Sequence, residues 1–205
     1  ARARDRVDAE LHDQPASAIT MLNTIGYAYL QIGAFPEAES AFGRIVDLTR
    51  APDLVDSEDA ISARMNLAVA LTEMGRLDES EPILQHLRPT CERVLGDDHE
   101  LTLKARGNLA QVLERKGRLS ESLELQEGVL AARVRLLGPD HEDTLTVRNN
   151  LAMLHARLGQ FAEAADHVQA VLETQKATLG DEHPRTLMTM NNLASVYRDM
   201  GDKER

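Results

Sequence analysis

The chain has 205 residues, a net charge of −11, 42% hydrophobic residues, one cysteine and no tryptophan. The acidic balance disfavours nucleic acid, which needs a basic face, and a lone Cys91 excludes an internal disulfide framework and any cysteine-based zinc site. Aromatic residues are only 3%, so a core must be built from Leu, Ala, Val, Ile and Met, which suits helices better than sheets.

The opening stretch, RARDRVDAELHDQPASA, reads as a short charged helix ending near His12, with Pro15 starting the next. Residues 1–14 are therefore expected to form an N-terminal capping helix or linker. The uncharged run from Gln14 to Pro36 is long enough to span a bilayer. It contains Ser17, Thr20, Asn23, Thr24 and Gln31 together with Gly26 and Gly33, which favours a buried helix of a soluble protein. The lone cysteine fits a reducing compartment, and the expected location is cytoplasmic.

From there on the chain repeats itself. Gly33, Gly75, Gly117, Gly159 and Gly201 are spaced by 42 residues, and so are Asn66, Asn108, Asn150 and Asn192, each followed by Leu-Ala. The stretches LGDDHELTL at 95–103, LGPDHEDTL at 137–145 and LGDEHPRTL at 179–187 keep the same period. A fixed period of this size means stacked repeats. Each period holds two helical patterns. One places Leu145, Leu151, Leu154 and Leu158 near helical spacing, and the other does the same for Phe161, Ala164, Ala165, Val168, Val171 and Leu172. Gly159 falls between them as the turn. The unit is a helical hairpin. Gly26, Ala68, Ala110, Ala152 and Ala194 on the first helix, with Ala38, Ser80, Ser122 and Ala164 on the second, let neighbours approach closely.

Repeats are expected at about 18–56, 57–98, 99–140 and 141–182, with a partial one at 183–205, so the repeat region spans 15–205. Two departures stand out. Pro82 and Pro89 fall in the second helix of the second repeat, and Pro89 should kink or break it. The first repeat has RAPDLVDSEDA in place of the Leu-Gly-x-x-His loop.

The stretches NNLAMLHARLGQFAEA and NTIGYAYLQIGAFPEA resemble the tetratricopeptide repeat. The period of 42, against the usual 34 or so, together with the Leu-Gly-x-x-His loop, is similar to the kinesin-light-chain type. The resemblance implies an all-α protein, a right-handed α-α superhelix of about four and a half hairpins plus an N-terminal helix. It also implies a non-catalytic scaffold that binds a peptide or protein in a concave groove. The segment before the repeats resembles the one that precedes such repeats in some bacterial serine/threonine protein kinases, which would make the chain a regulatory or sensory region. No glycine-rich loop or His-Arg-Asp motif of a kinase is present.

The His-and-carboxylate loops invite a metal or acid–base reading. HEDTL and HELTL begin like the zinc-protease motif, but Leu145 and Leu103 stand where its second histidine belongs. Successive repeats are about 20 Å apart at roughly 10 Å per helix, far beyond metal–ligand distances of about 2 Å. The loops are better read as helix starts, capped by Asp140 or His141. His155 occupies a core position, while His12, His86 and His167 read as surface residues. Phosphate loops and nucleophile elbows are absent, so no catalytic residue, metal site or cofactor is expected.

Function then falls to the surface of each first helix. The expected groove residues are Asn23, Tyr27, Met65, Lys104, Gln111, Arg115, Asn149, Met153, Arg157, Asn191, Ser195 and Arg198, with Thr20, Val69, Thr146 and Met188 beside them. Amides can bond an extended peptide, and methionine adapts to apolar side chains. Lys104, Arg115, Arg157 and Arg198 would favour an acidic segment. A second ladder, Arg64, Arg106 and Arg148, is expected to pack its stems between helices and pair with acids. Leu193, Val196 and Met200 on the partial repeat form an apolar face suited to self-association.

Overall fold

A computed structural model describes residues 15–201, so the expected helix before Pro15 lies outside the described residues. The described residues form helices joined by turns and loops, with no strand among them. The chain divides into two compact units, 1–116 and 117–205. In the first, α1 (Pro15–Gln31), α2 (Phe35–Leu48), α3 (Glu58–Glu73), α4 (Leu77–Leu95) and α5 (Glu100–Arg115) each pack on the next. In the second, α6 (Leu119–Leu137), α7 (Glu142–Arg157), α8 (Phe161–Leu179) and α9 (Pro184–Asp199) do the same.

Most of the small residues at the repeated positions are buried. Ala38, Ser80, Ser122 and Ala164 are fully buried, and so are Ala68 and Ala110. Ala194 is exposed, with no helix after α9 among the described residues. In the first unit Leu22, Phe42 and Ile45 are fully buried beside Ala18 and Ile19. A second cluster joins Ile61, Met65, Leu87, Cys91 and Ala105. The second unit closes on Val129, Val147 and Leu151 and on Ala152, Ala164, Ala165, Val168 and Val196.

The turns follow from one glycine each. Gly159 takes φ +75°, where a Cβ would be strained. The next residue, Gln160, donates its backbone N–H to the His155 carbonyl at 2.9 Å, closing the helix end. α4 runs unbroken through Pro82 and Pro89, so the expected break does not occur. Both prolines face solvent, where the carbonyls they leave unbonded can be hydrated.

The period also sets the helix starts. Ser57, His99, His141 and His183 are the N-caps of α3, α5, α7 and α9. Each histidine accepts a hydrogen bond at Nδ1 from the backbone N–H two residues on, at 3.2 Å. Asp140 does not cap α7; its carboxylate accepts from the Thr174 hydroxyl at 2.7 Å. The threonine three residues after the cap ties the loop down. Thr102 donates to the Gly96 carbonyl at 2.7 Å and Thr144 to that of Gly138 at 2.8 Å. His141→Ala should therefore cost about 0.5–2 kcal/mol, and His141→Asn should restore most of it. Chemical denaturation of both variants checks this; equal stability of wild type and His141→Ala would exclude a capping role.

Candidate functional site

The three loop histidines cap helices. Their Nδ1 atoms are used by the caps, and no cluster of three His, Cys, Asp or Glu side chains that could hold a metal exists among the described residues. Cys91 is fully buried. Burial, with a smaller contribution from Glu92, pushes its thiol up to about 11, which keeps it protonated and unreactive at neutral pH.

The expected groove residues divide. Tyr27, Lys104, Gln111, Arg115, Met153, Arg157, Asn191 and Arg198 are exposed, and Asn23, Asn149 and Ser195 are half-buried. Met65 is a correction. It is 3% exposed and packs with Ile61, Leu87, Cys91 and Ala105, so it is core. Its place in the period matches that of Asn149, but α4 and α5 close over it with apolar side chains.

The cations of this surface are partly occupied. Lys104 lies 3.6 Å from Glu100 one turn earlier. Arg115 reaches back one whole repeat, donating to the Thr72 carbonyl at 2.6 Å and to Glu73 at 3.0 Å. The Thr72 carbonyl also accepts from the Gly75 backbone N–H at 3.0 Å, so Arg115 is its second donor at the end of α3. Arg198 donates to the Ser195 hydroxyl at 2.9 Å and lies 3.7 Å from Asp199. The second ladder is mostly stem and pair. Arg106 is held by Glu92 at 2.8 Å and Asp97 at 2.5 Å, and Arg64 donates to the Val55 carbonyl at 2.6 Å. No ion pair joins Arg148 to an acid among the described residues. One period after Glu92 and Asp97 stand Val134 and Pro139.

The second unit contains a well-formed cleft of about 720 Å³ between α7 and α9, with α8 beneath. Both outer helices rest on α8 rather than closely on each other. Its apolar walls include Ala152, Ala156, Val168 and Val196, with Met153 and Met188 at the rim, 63% and 59% exposed. Asn149 and Asn192 contribute amides, and Thr146 and Ser195 hydroxyls. The cleft thus unites Asn149, Met153 and Ser195 from the expected set; Arg157, Asn191 and Arg198 do not line it. Sequence reasoning missed the α8 contribution, including Thr174, Gln175 and Thr178, because it assigned the groove to first helices alone.

It also misjudged His167. His155 is buried as expected, with Nδ1 2.8 Å from Gln160 Oε1. His167 is half-buried and stacks on it, ring centroids 5.3 Å apart. The residues one, two and three periods earlier are Leu125, Ile83 and Ala41, an apolar position that the period could have revealed. Burial, with smaller contributions from the neighbouring His155 and Arg148 and against a small opposing one from Asp166, holds the His167 pKa below 6.5. The unfolded chain therefore binds this proton more readily than the folded one. The stability it protects is full above about pH 6.5 and is lost as pH falls through the folded value. His167→Leu, which supplies the residue of the preceding repeat, should flatten the fall of melting temperature between pH 7 and 5. An unchanged slope would refute the assignment.

No helix among the described residues is long and apolar enough to cross a membrane. A profile of the family described as tetratricopeptide repeat matches residues 59–127, 103–177 and 143–205. Among solved structures, a kinesin-light-chain-type protein of Podosopora anserina with nearly identical TPR-like repeats superposes with a TM-score of 0.83. It is 24% identical, over 93% of this chain and 90% of that one. BtubC (BKLC) from P. vanneervenii gives 0.80 at 17% identity, covering 98% and 81%. YrrB, a TPR protein with an unusual peptide-binding site, gives 0.61 at 18% identity, covering 93% and 82%. No curated protein matches the chain. The 42-residue hairpins, their turn glycines and the profile matches lead to one conclusion: the chain belongs to the tetratricopeptide repeat family.

Proposed function

We propose that the chain is a non-catalytic interaction module that binds a peptide or protein partner in the cleft between α7 and α9. Tetratricopeptide folds are generally protein–protein interaction scaffolds. The observation that carries the reading here is the cleft itself. It offers apolar walls, two adaptable methionines at the rim and amides from both helices, which suits an extended backbone with an apolar side chain. The test is binding of a fluorescent peptide library to the full chain, repeated with Asn149→Ala plus Met153→Ala. Loss of binding in the double variant is expected, and binding that is unaffected would sink the proposal.

A second reading is self-association through α9. Of the expected face, Val196 is buried in the core cluster and Leu193 partly buried against it. That leaves Met200 at 38% exposed, with Leu187 and Met188 of α9 at 48% and 59%. A second copy could cover that face. Light scattering on dilution distinguishes the two: a monomer at all concentrations leaves only the peptide reading.

A further inference from the structure

The cleft between α7 and α9 carries an uneven charge. Asp140, Glu142 and Asp199 line it against a single cation, Arg185. That guanidinium is bound to Glu142 at 3.0 Å. At the C-terminal end of α9, Asp199 has Arg198 at 3.7 Å. The opposite end is different. Asp140 accepts a hydrogen bond from the neutral Thr174 hydroxyl and makes no ion pair among the described residues. Arg148 lies in an adjoining hollow of about 310 Å³, which it shares with Asp140 and Glu173. Counting that hollow, this end still has three carboxylates, Asp140, Glu142 and Glu173, against two cations, Arg148 and Arg185.

We propose that the cleft takes an extended peptide bearing an aliphatic side chain, with a lysine or arginine placed toward Asp140. This rests on the cleft being the binding surface and adds the chemistry of its occupant. The aliphatic group fits between Ala152, Val168 and Val196, and Met153 and Met188 close over it. Asn149 and Asn192 face the peptide backbone from the two helices. A basic residue gives Asp140 the cationic partner it lacks, and the net charge of −11 steers such a peptide inward. An acidic peptide, the choice suggested by Lys104, Arg115, Arg157 and Arg198, would bring its carboxylates against Asp140 and Glu142. Arg115 is already engaged with Thr72 and Glu73, and Arg198 with Ser195 and Asp199.

The experiment uses the full chain and a set of labelled synthetic peptides built around one leucine. They carry Lys, Ala or Glu at the flanking positions, and binding is read by fluorescence anisotropy at two salt concentrations. The Lys peptides should bind about tenfold more tightly than the Glu peptides, with the preference shrinking at high salt. Asp140→Asn, which keeps an acceptor for Thr174, should reduce the Lys preference about three- to tenfold, weakening the Lys peptide more than the Ala peptide. Equal binding of all three peptides, or preference for Glu, overturns this inference. If that binding is still lost in Asn149→Ala plus Met153→Ala, the cleft remains the binding surface. Binding that ignores the double variant overturns both.

Discussion

Phe42→Ala is expected to destabilise the first hairpin by about 3–5 kcal/mol. Phe42 is fully buried, among the largest side chains of the core, and fills the space between α1 and α2. Its ring meets Tyr27 edge to face, with centroids 5.7 Å apart and planes at 81°, an arrangement worth a further ~0.5–1.5 kcal/mol. Repeats in a stack draw their stability from their own hairpin and its nearest neighbours. The loss should therefore show as faster amide exchange in α1 and α2, with protection in α7 and α8 unchanged. Equal loss of protection throughout would refute the local account.

The same ring explains a glycine. A Cβ at Gly26 would stand 2.7 Å from the Phe42 ring tip, with two further ring atoms at 2.8 and 3.0 Å. Replacing a helix-interior glycine by alanine ordinarily stabilises by up to about 1 kcal/mol. Here overpacking a fully buried ring costs roughly 1–3 kcal/mol, so the balance tips the other way. Gly26→Ala should destabilise. Gly107→Ala, where a Cβ meets nothing within 4 Å, should stabilise. Adding Phe42→Leu should relieve much of the Gly26→Ala penalty. Stabilisation by both alanine substitutions alike would show that the contact yields freely.

What was legible in the sequence is what the period repeats. Turn glycines, caps and helix bounds depend on local backbone chemistry, and Ser57, His99, His141 and His183 each do the same task one period apart. The family resemblance added the hairpin stack. The surface was harder to read, because burial at a given place in the period depends on what the neighbouring helices bring to it. Asn149 and Met65 are equivalent in sequence, yet one lines a cleft and the other is enclosed. Charge was also misleading when counted along one helix. Arg115 looked available until the end of α3, one repeat earlier, came within its reach. The cleft itself arises because α7 and α9 both rest on α8 without closing on each other, a fact of spacing that no single residue announces.

Met65 and Met153 turn that difference into an experiment. Met65→Lys places an ammonium among Ile61, Leu87, Cys91 and Ala105, where the parent side chain is 3% exposed. The charge has no partner there, and the cost should be about 3–5 kcal/mol. A lysine that bends its amine out to water would soften the loss at the expense of the packing that Met65 supplies. Met153 is 63% exposed at the rim of the cleft. Met153→Lys should change stability by no more than about 0.5 kcal/mol. Its effect should appear in binding, since it removes an adaptable apolar contact and adds a positive charge beside the site proposed for a basic peptide. Thermal denaturation and peptide binding of the two variants together separate core from surface. If Met65→Lys melts like the wild type and loses binding, Met65 belongs to the groove after all. A collapse of stability in Met65→Lys, with Met153→Lys folded but unable to bind, places the interaction surface in the second unit.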